Sequence, residues 1–244
     1  MLLSRRRLLV TAGAGVLGVA VLNTACSSSS SSSPPSSAPG ASSAPGSASA
    51  APAAWQRVNL SFVSAYLLIR GDEAAVVDLG VAGSGDAIGA GLTAAGSSWG
   101  AVRHVIMTHR HADHAGSLAE VAPQVNAKLY TGAADVAGID SPKPLTPLND
   151  GDEVFGLQII PTPGHTPGHI AVFDPATGTL VAGDALRTTS GLVGPDPQYT
   201  ADQTQAAASV RKLATLNVQT ILPGHGDPLT TGAAEALRKL AASL

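Results

Sequence analysis

Thr108-His109-Arg110-His111-Ala112-Asp113-His114 puts three imidazoles and a carboxylate within six consecutive positions. Imidazole nitrogen and carboxylate oxygen are the donors that suit Zn²⁺ and neighbouring divalent ions. Residues at i, i+2 and i+4 of a regular helix fall on different faces, so a helix cannot aim all four at one point. A loop leaving a strand can. The apolar run Val102–Met107, interrupted by Arg103 and His104, reads as that strand. The cluster then belongs at its C-terminal mouth, where sites gather in α/β folds.

Three more ligand-type residues stand in similar surroundings. His165 lies in Pro161-Thr162-Pro163-Gly164-His165-Thr166-Pro167-Gly168-His169, Asp184 in Val181-Ala182-Gly183-Asp184, and His225 in Leu222-Pro223-Gly224-His225-Gly226-Asp227. Each follows an apolar stretch (156–160, 179–182 and 218–222) and has glycine close by. Glycine permits the sharp turn that lifts a side chain off a sheet end. Strand, turn and ligand thus recur four times along the chain.

In this order, Thr-His-x-His-x-Asp-His, Pro-Gly-His-Thr-x-Gly-His, Gly-Asp and Pro-Gly-His-Gly resemble the motifs of the metallo-β-lactamase superfamily, over about residues 57 to 230. The resemblance implies an α+β fold, a four-layer αβ/βα sandwich with two mixed sheets between helices. It also implies two divalent metal ions, zinc first among the candidates. One ion is expected to take His109, His111 and His165. The second is expected to take Asp113, His114 and His225, with Asp184 bridging. His169 repeats the Pro-Gly-His pattern but would be an eighth ligand in a site filled by seven, so it is expected to orient a ligand. Asp78, in Val76-Val77-Asp78-Leu79-Gly80, takes the family's Asp-Thr-Gly position with Leu for Thr and is read as a loop-fixing carboxylate. His104 reads as a hydrogen-bonded structural histidine, and Asp174 and Asp227 as turn residues.

Two cations side by side would lower the pKa of water from 15.7 to about 7 and yield a bridging hydroxide nucleophile. Asp113 is the candidate catalytic proton shuttle. No Gly-x-Ser-x-Gly elbow competes, and the single cysteine, Cys26, is remote from the motifs. Hydrolysis is the expectation. Asp184 stands where the resembled β-lactamase subgroups usually carry Cys or Ser, which turns the reading towards an ester or thioester. A lactonase is the alternative, with a β-lactamase or phosphodiesterase behind it. Hydroxyacyl-glutathione hydrolases normally add a C-terminal helical region with basic residues, and little chain follows His225 here. Tyr199, 15 residues after Asp184, is a candidate substrate contact by analogy with lactonases. Arg187, Lys143 and Arg110 are candidate anion contacts or plain surface charges. Outside the hydrolases, a flavo-di-iron oxidoreductase would need a flavin domain, and a non-catalytic zinc-binding lipoprotein would tolerate loss of a ligand. All seven are present.

The first 26 residues read as a leader. Ser4-Arg5-Arg6-Arg7-Leu8-Leu9 has a twin-arginine export pattern, and the apolar run 8–22 is shorter than the roughly 20 residues that span a bilayer. Ala25-Cys26 resembles a bacterial lipobox, with Asn23 where Leu is usual. This predicts an exported enzyme lipidated at Cys26 on the outer face of the bacterial membrane, or secreted after ordinary cleavage. Residues 27–54, rich in Ser, Ala and Pro and free of charge, read as a flexible tether. Residues 55–244 fit one hydrolase domain.

Loss of Arg5, Arg6 and Arg7 with the leader takes the net charge from −3 to −6. An acidic domain without a basic stripe argues against nucleic acid and leaves a small-molecule substrate. The oligomeric state is open. Expected strands are 57–69, 74–78, 102–107, 128–130, 154–160, a hairpin over 170–182, and 218–222. Expected helices are 86–95, 115–121, 201–216 and 233–242.

Overall fold

Most strands of the domain are apolar on both faces, the pattern of a sheet buried between two layers. The computed structural model describes residues 54–244. Cys26, the leader and all but the last residue of the tether lie outside the described residues.

One mixed sheet holds β1 (Ala54–Leu60), β2 (Val63–Arg70), β3 (Glu73–Val77), β4 (Val102–Met107), β5 (Lys128–Gly132) and β6 (Leu145–Leu148), in that spatial order. The first three run antiparallel, and β3 to β6 are parallel. The second sheet has the order β11 (Thr220–Pro223), β10 (Thr179–Gly183), β9 (Ile170–Asp174), β8 (Leu157–Pro161), β7 (Glu153–Val154). Only β10 and β11 are parallel there. Helices α1 (Gly85–Ala94), α2 (Ala112–Ala115) and α3 (Leu118–Val121) belong to the first half. Helices α4 (Gln203–Leu213) and α5 (Ala233–Ser243) belong to the second.

The period-two alternation of the strands sorts their side chains into three cores. Ala65, Leu67, Ala74 and Val76 face Ile88, Leu92, Leu118 and Val121 of the first-half helices. Tyr66, Leu68, Ala75 and Val77 face the other way and meet Leu157, Ile159, Ile170 and Val172 between the sheets. Ala171, Phe173, Leu180 and Ala182 turn outward onto Val210, Leu213, Ala233 and Leu237 of α4 and α5. Three cores between four layers make the αβ/βα sandwich. Each large aliphatic side chain so buried contributes about 1.5–3 kcal/mol.

Several expected boundaries move. The strand expected over 57–69 is a hairpin whose two-residue turn, Ser61-Phe62, joins the pair Leu60 and Val63. Ser61 takes φ +77, a left-handed conformation unannounced by glycine. The strand begins at Ala54, paired with Ile69, one residue before the expected edge of the domain. The stretch 154–160 is likewise broken: Phe155 (φ +56) and Gly156 (φ +72) form a hairpin turn with both central residues left-handed. β6 escaped prediction because Pro147 sits in it, tolerated at the sheet's edge. The expected helix 115–121 is two single turns. Its ladder stops at Gly116, whose N–H donates to Gly80 O at 2.9 Å. The metal loop is correspondingly shorter than expected, since His111 O already accepts from the N–H groups of His114 and Ala115 and starts α2. Asp113 and His114 therefore sit on a helical turn and not on an extended loop.

Candidate metal centre

The seven-residue motif is shaped from below by one carboxylate. Asp78, just past β3, is buried and holds φ +62. Its Oδ1 accepts the Thr108 N–H at 2.7 Å, and its Oδ2 accepts the Thr108 hydroxyl at 2.8 Å. Oδ2 also lies 2.8 Å from His114 Nδ1. Asp78 thus fixes the exit of β4 and the direction of the His114 ring, with no oxygen turned to the cluster. A carboxylate behind a histidine selects the tautomer whose Nε2 lone pair points forward.

Two groups of donors result. His109 Nε2 lies 3.1 Å from His111 Nδ1, which lies 2.9 Å from His165 Nε2. In the second group, His225 Nε2 is 3.3 Å from Asp113 Oδ2, and His114 Nε2 is 3.8 Å from the same oxygen. Asp184 stands between them. Its Oδ2 is 3.3 Å from His165 Nε2 and 3.2 Å from His225 Nε2, and its Oδ1 is 3.1 Å from His114 Nε2. His109, His111 and His165 could hold one cation, and Asp113, His114 and His225 another; His109, His114 and Asp184 form a third possible grouping across the two.

Every ligand-type histidine except His111 is braced through its other nitrogen. His109 Nδ1 lies 3.1 Å from the Thr108 hydroxyl, and His225 Nδ1 donates to Phe62 O at 2.8 Å. His165 Nδ1 is 3.4 Å from the Thr200 hydroxyl. His169 is placed otherwise. Its Nε2 accepts the Asp184 N–H at 3.0 Å, and its Nδ1 lies 2.7 Å from the Thr162 hydroxyl. One nitrogen is spent on the turn that carries Asp184 and the other on Thr162, at the start of the turn that carries His165.

The electrostatics follow from burial against charge. Desolvation is the largest single influence on His114 and would lower its pKa, but Asp184 and Asp78 together hold it well above 6.5. His225 also loses to desolvation, yet Asp113 and Asp184 raise it to about 10. Desolvation would raise Asp184, and His114 and His225 more than offset it, leaving the carboxyl well below the usual range. Asp113 is lowered too, by its bond to His225 and the charge of His114, against desolvation. In the other group, burial pushes His165 down to about 4, as it pushes His169 down to about 3. The donor set is therefore anionic carboxylates among imidazoles.

One observation tests whether a cation fits. His114 Nε2 and Asp184 Oδ1 are buried and hydrogen-bonded to nothing, although 3.1 Å apart. Two buried polar atoms that both offer a lone pair cannot satisfy each other and cost free energy unless a third body satisfies both. A divalent cation accepts a lone pair from each. The residues fit the metals that their chemistry implies.

A cleft of about 560 Å³ opens over this cluster, lined by Asp113, His165, Asp184 and His225 together with Phe62, Arg187, Asp196 and Tyr199. Phe62 and Tyr199, 58% and 63% exposed, are two of the three large apolar side chains left in solvent among the described residues. Phe62 stacks on His225, with 6.0 Å between centroids and 6° between planes. Arg187 reaches the cleft while Nη1 pairs with Asp196 at 2.7 Å and Nε donates to Gly194 O. Lys143 Nζ donates to Val125 O, away from the cleft. Arg110 is exposed and does not line it. His104, in β4, lies 3.4 Å from the Tyr130 hydroxyl. Asp174 does more than turn the chain: fully buried, it accepts from Trp55 Nε1 and Arg70 and closes the β9–β10 turn through Thr177. Asp227 is exposed and pairs with Arg57.

Sequence reasoning missed three residues that shape this site: Asp135, Thr200 and Phe62. Asp135 alone had a signal, a carboxylate in the apolar stretch Ala133–Gly138.

Comparison with known proteins gives a consistent picture. The family described as Metallo-beta-lactamase superfamily matches residues 58–225. The probable metallo-hydrolase YflN of Bacillus subtilis is 32% identical, over 53% of this chain and 66% of its own length. A hydroxyacylglutathione hydrolase of Dechloromonas aromatica is 34% identical, over 53% of this chain and 48% of its own. The match thus spans just under two thirds of the first relative and about half of the second. A solved structure described as TTHA1623 in a di-iron-bound form is 27% identical with a TM-score of 0.61, covering 75% of this chain and 95% of that one.

Proposed function

The chain belongs to the metallo-beta-lactamase superfamily and carries the site of a metal-dependent hydrolase, and from that premise we propose that it cleaves an ester or thioester bond with two divalent ions. Asp184 carries the reading. It stands within hydrogen-bond distance of a donor from each group, which is where a carboxylate shared by two cations belongs. The named substrate of the hydroxyacylglutathione hydrolase relative is a thioester, which supports the same bond class. Lactones, being cyclic esters, are the second choice, favoured by Tyr199 on the cleft wall.

When bound, the pair of ions supplies Lewis acidity and a water acidic enough to attack at neutral pH. The chain's own groups do the rest. His109, His111 and His165 would hold one ion; Asp113, His114 and His225 would hold the other. Asp113 is ionised, half-buried and faces the cleft. It is the group placed to carry a proton from the attacking water to the leaving oxygen or sulfur. His225, fastened to the Phe62 carbonyl, keeps Asp113 Oδ2 in place. Zinc is the proposed metal, with iron the alternative raised by the di-iron relative.

Metal analysis of the purified domain should approach two equivalents. A panel of thioesters, esters, lactones, phosphodiesters and β-lactams should show the first two turned over fastest. Saturation at one equivalent with full activity would sink the two-metal reading, and fastest turnover of a β-lactam would sink the bond class.

The proposal extends to place: export by the twin-arginine route and attachment through Cys26. A single acyl chain binds only marginally, so stable anchoring needs the several chains of a bacterial lipoprotein. Cys26→Ser should move the protein from the membrane fraction to the soluble one with turnover unchanged. Wild-type protein already soluble and beginning after Cys26 would overturn the anchor and leave the hydrolase.

A further inference from the structure

Asp135 is a buried carboxylate with no part in the chemistry above. It sits in the 3-10 stretch Ala133–Gly138 that follows β5, and it is fully buried. Its Oδ2 accepts the Arg110 N–H at 3.0 Å and the Thr166 hydroxyl at 2.5 Å, and its Oδ1 accepts the Gly168 N–H at 2.9 Å. Arg110 stands between His109 and His111. Thr166 follows His165, and Gly168 precedes His169. One side chain therefore joins the two loops that bring the first group of donors together.

The surrounding chain is cut to let it in. A Cβ on Gly168 would stand 2.2 Å from Asp135 N and 2.7 Å from its Cβ, so only glycine lets that loop approach closely enough to donate. One backbone bond ties the same two loops, Ile170 N–H to Thr108 O, but it lies at their bases. Among the described residues, Asp135 holds the tips. The second group has other supports: Asp78 behind His114, and the Phe62 carbonyl behind His225.

We propose that Asp135 is the positioning residue that sets the spacing of His111 and His165, and with it the affinity of the His109–His111–His165 group for its metal ion. An ionised carboxylate can accept from all three donors at once. An amide in its place turns its N–H₂ towards at least one of them, which leaves a buried donor unpaired and pushes the loops apart. The inference rests on the metal-centre reading, but its readout is metal affinity and is independent of which bond is cleaved.

The test is a calorimetric titration of the metal-depleted domain with Zn²⁺, run on a double-mutant cycle. Asp135→Asn should weaken one of two binding events by about 10–100-fold, the cost of an outer partner of a metal ligand. The other event should keep its wild-type affinity. In a His165→Ala background, Asp135→Asn should add little, because the group it serves is already broken. In a His225→Ala background it should keep its full effect. Equal weakening of both events, or the same added loss in both backgrounds, would mark a structural role and overturn the proposal, as would wild-type affinities throughout. Wild-type protein that bound no Zn²⁺ would overturn the metal-centre reading with it. Should Asp135→Asn fail to fold, Thr166→Val removes one of the three donors and should weaken the same single event by a smaller factor; no change there would count against the proposal.

Discussion

The two halves of the domain deliver their ligand-type residues in opposite ways. The first half delivers four from one stretch, His109 to His114, at the end of β4. The second delivers three from three turns, after β8, β10 and β11. A single stretch is fixed by few long-range bonds, and Asp78 and Asp135 suffice to set it. Three separate turns need three separate braces. Asp184 relies on His169, His165 on Thr200, and the His225 turn on the first half itself: Tyr66 OH to Pro223 O, Ser64 N–H to Gly224 O and Arg57 to Gly226 O. Damage at Asp78, which stands behind both groups, should therefore spread across the metal centre, whereas damage at a brace such as Thr200 should stay local.

The residue that belongs to both groups bounds the scale. Asp184→Ala should abolish retention of both ions, a loss beyond the roughly 100-fold that caps the removal of an outer partner. Metal content after gel filtration reads it directly. Retention of a full equivalent at wild-type affinity would mean that the halves are metal sites in their own right and that Asp184 joins nothing.

Asp113→Asn comes next and separates holding from reacting. The amide keeps size and one oxygen but cannot take up a proton, so turnover should fall by about 10²–10⁴-fold, the range of a positioned acid or base. Asp113 is only half-buried, so the melting temperature should stay near that of wild type. Near-wild-type turnover with both metals bound would remove Asp113 from the chemistry.

Which side chains converge was legible in the sequence because metal donors are rare and the four motifs crowd them between strands and glycines. The four layers came with the family resemblance and not from periodicity: near-continuous apolar runs such as Ala65–Ile69 and Ile170–Phe173 mark strands covered on both faces but do not say which sheet they join. The braces were not legible. Asp135, Thr200 and the Phe62 carbonyl act across 25, 35 and 163 positions of chain, and apart from the apolar setting of Asp135 nothing local marks them. The turn at Ser61 escaped for a related reason: tertiary bonds hold the hairpin tip to the His225 turn, so the left-handed residue needs no glycine. The short helix α2 escaped because its residues, Ala112 to Ala115, carry metal-ligand chemistry and helix geometry at once.

A direct contest between halves sets Asp78→Asn against His169→Ala. Asp78 serves Thr108, next to His109 of one group, and His114 of the other. Its amide leaves buried donors unpaired, which should cost about 1–3 kcal/mol of folding stability and weaken both metal-binding events. Asparagine tolerates the left-handed backbone there, so the loss reports the carboxylate and not strain. His169→Ala frees the Asp184 N–H and the Thr162 hydroxyl and should cost about 10–100-fold in metal affinity with a smaller change in stability. It should also be milder than His165→Ala, which deletes a donor outright. An Asp78→Asn variant that weakened a single binding event would show that the seven-residue motif is not one mechanical piece.

The smallest effect is expected at Thr200→Val. The Thr200 hydroxyl donates to Asp196 O at 2.6 Å and stands 3.4 Å from His165 Nδ1, at the outer limit of a hydrogen bond. A contact that long orients weakly. The His165 turn has two firmer bonds to the following segment, Ala201 N–H to His165 O and Asp202 N–H to Gly164 O. Removing the hydroxyl should then cost less than the roughly 10-fold that opens the range for an outer partner, and only in the binding event that uses His165. Valine keeps the shape of threonine, so packing of the segment that carries Tyr199 should survive. A loss as large as that of His169→Ala would show that the hydroxyl swings closer when a cation pulls His165 forward. The second half would then depend on each of its braces as heavily as the first half depends on Asp78.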